Sequence, residues 1–255
     1  MIPRIFLGAL SAIAMIGLQA CADGSAVPDT GGLAQGYEGV RDGSAKRAVA
    51  SALLSLQQRN YGSAIALAGR AIDEGKANGA NDILLSLAYL IRASAYLSTR
   101  ALNEAEADIG QALDRNPQSA FAYQQRGALN GLRGHYHKSI ADYTRSIKIE
   151  PRYGAYFLRG ITYLKVKQLA RAQKDLTRAI AINPNRAKAF YWRGVARRSA
   201  GRRRLAMSDF RKTLDLDPNH RGAHAALGGR SRPLDPGVPG TRQDLPRAKV
   251  HTISF

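Results

Sequence analysis

Prolines recur at a nearly constant spacing through the second half of the chain. They stand 34, 33 and 34 residues apart: Pro117, Pro151, Pro184 and Pro218. A small residue precedes each of them by 24 positions: Ala93, Gly127, Gly160 and Gly194. A fixed period of this length indicates a stack of similar helical units that bury one continuous core between them.

Three further kinds of side chain recur in phase with the prolines. Small residues follow the glycine position by twelve: Ala64, Ala105, Ser139, Ala172 and Ala206. A second small set lies seven residues further on: Ala71, Ala112, Ser146, Ala179 and Thr213. Between them stand residues suited to fill an interior: Ala68, Ile109, Tyr143, Leu176 and Phe210. Offsets of three, four and seven place these sets on one helical face, which we expect to be buried. The proline then ends the helix, because it lacks a backbone donor.

This combination of residues resembles the tetratricopeptide repeat (TPR) family over residues 45–229. The resemblance implies an all-α fold, in which antiparallel helix pairs stack into a right-handed superhelical solenoid and the first helix of each pair lines a concave groove. Five units are expected, at 45–78, 82–117, 118–151, 152–184 and 185–218, followed by a closing helix at 219–229.

Three departures from the repeat are visible. Lys76 stands where unit one should have its proline, and unit four is one residue short near Arg152 to Gly154. Unit two carries seven extra residues near Gly79 to Leu85, so we expect its first helix to be long and capped by Asn81 or Asp82.

The resemblance also implies which side chains face the groove. The predicted groove residues are Phe121, Gln124, Phe157, Ile161, Leu164, Lys165, Lys188, Tyr191, Val195 and Arg198. They form an apolar wall with aromatic side chains that becomes basic towards the C-terminal end. Such a surface suits a protein or peptide partner of apolar and acidic character. The alternative is that many of these residues only pack against neighbouring helices.

A basic stretch runs from Asn185 to Arg204, with eight basic residues and no acidic one, in a chain of formal net charge +19. Its candidate patch residues are Arg193, Arg197, Arg202, Arg203 and Arg204. Two interpretations remain open: a solvated helix face, or a site for anionic lipid, envelope polymer or an acidic partner. Nucleic acid is not expected as a partner, because the N-terminus reads as a secretory signal.

That signal consists of Arg4 followed by the uncharged, largely apolar run Ile5 to Leu18. Leu18-Gln19-Ala20-Cys21 resembles the bacterial lipobox, whose cysteine is lipidated, and Cys21 is the only cysteine. We therefore expect a signal peptide at 1–20, a lipidated Cys21 with a flexible tether at 21–44, and a periplasm-facing envelope lipoprotein. Ala22 after the cysteine favours the outer membrane. The alternative is a soluble periplasmic protein.

Nothing in the sequence predicts an enzyme, a cofactor or a metal site. The pair His135 and His137 lacks the further Cys, Asp or Glu ligands that a metal needs. We therefore predict a membrane-anchored envelope adaptor, working in pilus, secretion or cell-wall assembly. The alternatives are a binder of anionic polymer or lipid, or a solenoid that only self-associates. Residues 230–255 are expected to be an unstructured basic tail.

Overall fold

The computed structural model describes residues 43–228, which form eleven α-helices and no β-strand. The helices are α1 (Gly43–Gln57), α2 (Tyr61–Ala77), α3 (Asp82–Thr99), α4 (Leu102–Arg115), α5 (Ala120–Leu132), α6 (Tyr136–Ile149), α7 (Tyr153–Lys165), α8 (Leu169–Ile182), α9 (Ala187–Ser199), α10 (Arg203–Leu216) and α11 (Arg221–Ala226). The predicted signal peptide, Cys21, nearly all of the tether and the 230–255 tail lie outside the described residues.

The first ten helices form five antiparallel pairs, one for each predicted unit, and stack into an all-α superhelical solenoid. The first helices α3, α5 and α7 each pack against the second helix of their own unit, the second helix of the preceding unit and the first helix of the next unit. The prediction of the fold class is therefore confirmed.

The helix ends lie where local sequence signals place them. Asn81 caps α3, its Oδ1 accepting a hydrogen bond from the amide of Leu84 at 2.9 Å. At 18 residues, α3 is the longest of the described helices, as the insertion in unit two predicts. Each repeating proline lies two residues after the end of a second helix, for example Pro184 after Ile182. Residues 150–152 join units three and four, one residue fewer than the 183–186 linker that follows, which accounts for the short unit.

The core is built from the recurring small and filling residues, all of which are buried. The small side chains let the two helices of a unit approach, and the filler enters the space left by the glycine. A methyl group at Gly194 would lie only 2.7 Å from Cε1 of Phe210. In unit two the smaller filler Ile109 shares its core cluster with Ala93 instead of a glycine. The volumes of the two positions are therefore matched in units two to five.

The closing helix is shorter than predicted. It covers only Arg221–Ala226, because the chain turns at Leu227 and Gly228, and Gly228 has a φ of +113° that a helix cannot contain. His220 caps it, with Nδ1 accepting a hydrogen bond from the amide of Ala223. Its buried Ala223 joins Ala206 and Phe210 in the last core cluster, so α11 covers the apolar face of unit five.

Candidate functional site

The candidate site is the groove lined by the first helices α3, α5, α7 and α9. Of its predicted residues, Lys165 and Arg198 are exposed. Four more are partly buried: Phe121, Ile161, Leu164 and Lys188. Phe121 packs at the edge of the core of units one and two, while Ile161 and Leu164 border that of unit four. These six residues leave a surface that combines apolar side chains with cationic ends.

Two of the predicted groove residues are not accessible, which corrects the sequence-based assignment. Phe157 is 3% exposed and stacks on Tyr153, with ring centroids 5.4 Å apart. Gln124 is 6% exposed and lies against Gly154, where an added Cβ would approach its Nε2 to 3.1 Å. Gln124 fills the contact between units three and four, and Phe157 packs in the core cluster of unit four, as the packing alternative allows.

The closing helix packs against two of the predicted groove residues of unit five, Tyr191 and Val195. The ring of Tyr191 lies 4.5 Å from that of His220 and 5.8 Å from that of Phe210, between centroids. An added Cβ at Gly222 would come within 2.7 Å of the Tyr191 hydroxyl. Val195 packs in the same cluster. Tyr191 and Val195 therefore pack against α11 and are only partly exposed, so the groove is narrower in unit five than the sequence predicts.

An arginine on the first helix and an aspartate sixteen residues later on the second helix form an ion pair in four units. The pairs are Arg92–Asp108, Arg126–Asp142, Arg159–Asp175 and Arg193–Asp209, and every aspartate is buried. Hydrogen bonding to the carboxylate raises the pKa of Arg92 and of Arg126. Unit one has Ser51 and Leu67 at these positions and lacks the pair.

The ion pair of unit five changes the interpretation of the basic stretch. Arg193 and Arg197 both donate to Asp209, at distances of 2.7–3.1 Å, so two of the five predicted patch residues are bound to a carboxylate. The sequence could not indicate this, because Asp209 lies outside the stretch. Arg202, Arg203 and Arg204 are exposed at the start of α10, and Arg202 Nη1 donates to Oε1 of Gln173.

A cavity of about 300 Å³ opens in the groove between units one, two and three. It is lined by Arg59, Tyr61, Ser94, Leu97, Ser98, Arg100, Ala128 and Leu132. The side chains of Arg59 and Arg100 have no ion pair or hydrogen bond within residues 43–228. The cavity therefore combines apolar walls with two cations available to an acidic group. Neither arginine was among the predicted site residues.

Both arginines occupy a turn position that favours glycine. Arg59 has a φ of +59° and Arg100 a φ of +65°, in the left-handed region. The same position is Gly134 in unit three and Gly201 in unit five, with Lys167 in unit four. A side chain larger than glycine is disfavoured there by about 1–2 kcal/mol. Arginine at a repeat position that holds glycine in other units is the sequence signal that could have identified this site.

The tetratricopeptide repeat family matches the chain at residues 87–119, 153–186 and 187–220. These segments coincide with three of the helix pairs, and the remaining pairs repeat the same core positions. The chain is a tetratricopeptide-repeat protein. Its TPR solenoid contains the paired helices, the buried filler and the inner groove that the sequence resemblance implied.

A curated relative shares sequence with part of this TPR chain. RNA polymerase II-associated protein 3 of Xenopus laevis is 30% identical over 125 residues, which are 48% of this chain and 19% of that protein. The chain thus spans about a fifth of the length of this relative, and the similarity covers repeats, not the whole protein.

Solved TPR structures resemble the fold over most of the described region. The structure of PilW, described as a widely conserved type IV pilus biogenesis factor, has a TM-score of 0.62 and 23% identity, covering 73% of this chain and 87% of that one. YrrB, described as a TPR protein with an unusual peptide-binding site, has a TM-score of 0.54 and 19% identity, covering 71% and 91%. At these identities the likeness concerns the fold.

The described residues of this TPR chain were compared with the requirements of a metal site and of a membrane-spanning helix. Among residues 43–228 no three His, Cys, Asp or Glu side chains are grouped closely enough to hold a metal ion. No helix in that range has the length and apolar character to cross a membrane. His135 and His137 lie on either side of the first residue of α6, and both are exposed.

Proposed function

We propose that this TPR protein is a scaffold of the cell envelope that binds a segment of a partner protein in its concave groove. The observation that carries the proposal is the cavity between units one and three, whose two arginines have no ion pair within residues 43–228. The buried Leu97 and the partly exposed Leu132 supply apolar contacts at the same place. An apolar side chain that is buried in such a pocket contributes most of the binding affinity, and charged groups at the edge of the pocket give specificity for the partner.

The partner segment suited to this cavity carries a large apolar residue beside a carboxylate. A guanidinium binds a carboxylate through two parallel hydrogen bonds, and the lining of this cavity contains two guanidinium groups. Along the groove, Lys165 and Arg198 offer further cationic contacts, while Ile161 and Leu164 offer apolar ones. The partner is therefore a peptide with apolar and acidic character, as the sequence predicts.

The envelope role depends on the N-terminal segment. Leu18-Gln19-Ala20-Cys21 carries the features of a lipobox, so we place a lipid anchor on Cys21, which lies outside the described residues. A scaffold that assists pilus, secretion or cell-wall assembly is in line with the fold shared with PilW. Labelled fatty acid should be incorporated covalently into the wild-type protein and not into the Cys21→Ser variant. Equal labelling of both proteins would show that Cys21 is not lipidated.

A peptide selection tests the groove. Random peptides displayed on phage are selected on the wild-type chain, and the affinity of the best peptides is measured by fluorescence polarisation. We expect an acidic residue next to a large apolar one, and binding at least tenfold weaker to Arg59→Gly,Arg100→Gly. Because glycine suits this turn, a loss of folding cannot explain that result.

The matched control is Lys167→Gly, which removes a cation from the same turn position of unit four, away from the cavity. It should leave peptide affinity within twofold of wild type. Selected peptides without acidic residues, or equal binding by the double variant, would show that this cavity is not the binding site.

A further inference from the structure

A second cleft lies between unit four and unit five. Its volume is about 410 Å³, and it is formed by one face of α8, the C-terminal part of α9 and the turn before α10. Its lining residues are Gln173, Lys174, Thr177, Arg178, Ala181, Arg197 and Arg202. We call it the basic cleft. It uses a second helix, whereas the groove is lined by first helices, so the two sites are separate.

The basic cleft has four cationic side chains and no acidic one in its lining. Lys174 and Arg178 are exposed and make no ion pair or side-chain hydrogen bond within the described part of the chain. Arg197 donates a hydrogen bond to Asp209, but Arg193 donates to the same side chain. One carboxylate is therefore shared by two guanidinium groups. The cleft therefore keeps an excess of positive charge.

The electrostatics of Arg197 agree with that excess. Burial lowers the pKa of its guanidinium, Asp209 opposes this effect, and the neighbouring charges of Arg193 and Arg202 lower the pKa further. An arginine stays protonated at neutral pH in any case. Burial is the main cause of the lowered pKa, and the charges of Arg193 and Arg202 add to it.

The other repeats show that the fold does not require cations at two of these four positions. The position of Lys174 is occupied by alanine in the first three units, at Ala66, Ala107 and Ala141. The position of Arg197 is held by Ser55, Tyr96, Asn130 and Tyr163. Both positions are thus compatible with small or neutral residues, and their cationic side chains occur together only at the junction of units four and five. Arg197 has a structural partner in Asp209, as Asn130 has in Asp142 of unit three. Lys174 has no such partner within residues 43–228, and binding of an anion would give it a role.

We propose that the basic cleft is a binding site for a phosphate group, independent of peptide binding in the groove. The guanidinium group of arginine matches the oxygens of phosphate, and a dianionic phosphate compensates two cations where a carboxylate compensates one. The hydroxyl of Thr177, which accepts a hydrogen bond from Arg193 Nη1 at 3.3 Å, can donate to a phosphate oxygen. The amide of Gln173 offers a further donor in the lining.

The test compares two double variants of the full chain, each losing two exposed cations from a second helix. Lys174→Ala,Arg178→Ala removes the unpaired cations of the basic cleft. Arg145→Ala,Lys148→Ala removes the same charge from α6, where Arg145 stands at the position of Arg178 one unit earlier. Binding of inorganic pyrophosphate is measured by isothermal titration at low salt. Binding of phosphatidylcholine vesicles with and without phosphatidylglycerol is measured by sedimentation, in a Cys21→Ser background that removes any lipid anchor.

We expect the cleft variant to bind at least tenfold more weakly and the α6 variant to stay within twofold of wild type. If pyrophosphate binds in this way, the source of the phosphate is a soluble molecule. If only the phosphatidylglycerol vesicles do, it is a lipid headgroup. Equal weakening in both variants would mean attraction by net charge alone, and absence of saturable binding to either probe would equally overturn the proposal.

Discussion

Arg193 and Asp209, sixteen residues apart in sequence, join the two helices of unit five through two hydrogen bonds. The guanidinium is 13% exposed and the carboxylate 4% exposed. Equivalent pairs connect the helices of units two, three and four. Arg193 belongs to the basic stretch of the sequence, but in the structure it joins the two helices of its repeat through a buried ion pair.

Removing one of these carboxylates should destabilise the solenoid. Asp175→Ala leaves Arg159 half-buried without its partner, and we expect the free energy of unfolding to fall by about 2 kcal/mol. Urea unfolding followed by circular dichroism measures the change. Arg70→Ala, which breaks an exposed pair within α2, should leave the unfolding midpoint unchanged. Equal effects of the two variants would show that the buried pairs stabilise no more than a surface pair.

Alanine substitutions at two glycines should change the free energy of unfolding in opposite directions. Gly194→Ala places a methyl group against the ring of Phe210 and should lower the free energy of unfolding by about 1–3 kcal/mol. Gly110→Ala, in α4, meets nothing within 4 Å and should raise it by up to about 1 kcal/mol through better helix propensity. Thermal unfolding of both variants distinguishes the effects, and a stabilised Gly194→Ala variant would contradict the packing argument.

Replacing Lys167, whose backbone has a left-handed conformation, by glycine should stabilise the fold. Lys167 has a φ of +58°, so Lys167→Gly should raise the free energy of unfolding by about 1 kcal/mol. The same change at Lys174, in the middle of α8, should lower it by about 1 kcal/mol, because glycine is a poor helix former. Denaturant unfolding of the pair measures this. A destabilised Lys167→Gly variant would mean that the lysine side chain stabilises the turn more than its backbone costs.

The buried hydroxyl of Tyr143 should make stability fall at alkaline pH. Burial raises the pKa of this tyrosine above its ordinary value of about 10. Its contribution to stability is therefore present below pH 10 and decreases above it, by up to about 1.4 kcal/mol per pH unit, because the unfolded chain loses the proton first.

Unfolding of the wild type and of Tyr143→Phe is to be compared between pH 9 and 11. Phenylalanine suits the position, since Phe210 holds it in unit five. The variant should show a smaller decrease of stability over this range. Parallel pH profiles would mean that Tyr143 does not stay protonated in the fold.

The sequence by itself determined the repeat, the helix ends and the buried face. These depend on local rules: a proline stops a helix, Asn81 caps one, and residues at offsets of three, four and seven share a face. It also predicted the unequal length of unit two from its insertion. Each of these features is decided within one or two turns of chain.

Only the tertiary structure decided which of the predicted site residues are available to a partner. Tyr191 packs against a helix that begins thirty residues later, and Arg193 and Arg197 are bound by Asp209 from another helix. Arg59 and Arg100 belong to different units yet line one cavity. Accessibility and charge compensation depend on neighbours in space, and residues far apart in sequence become neighbours only when the helices stack.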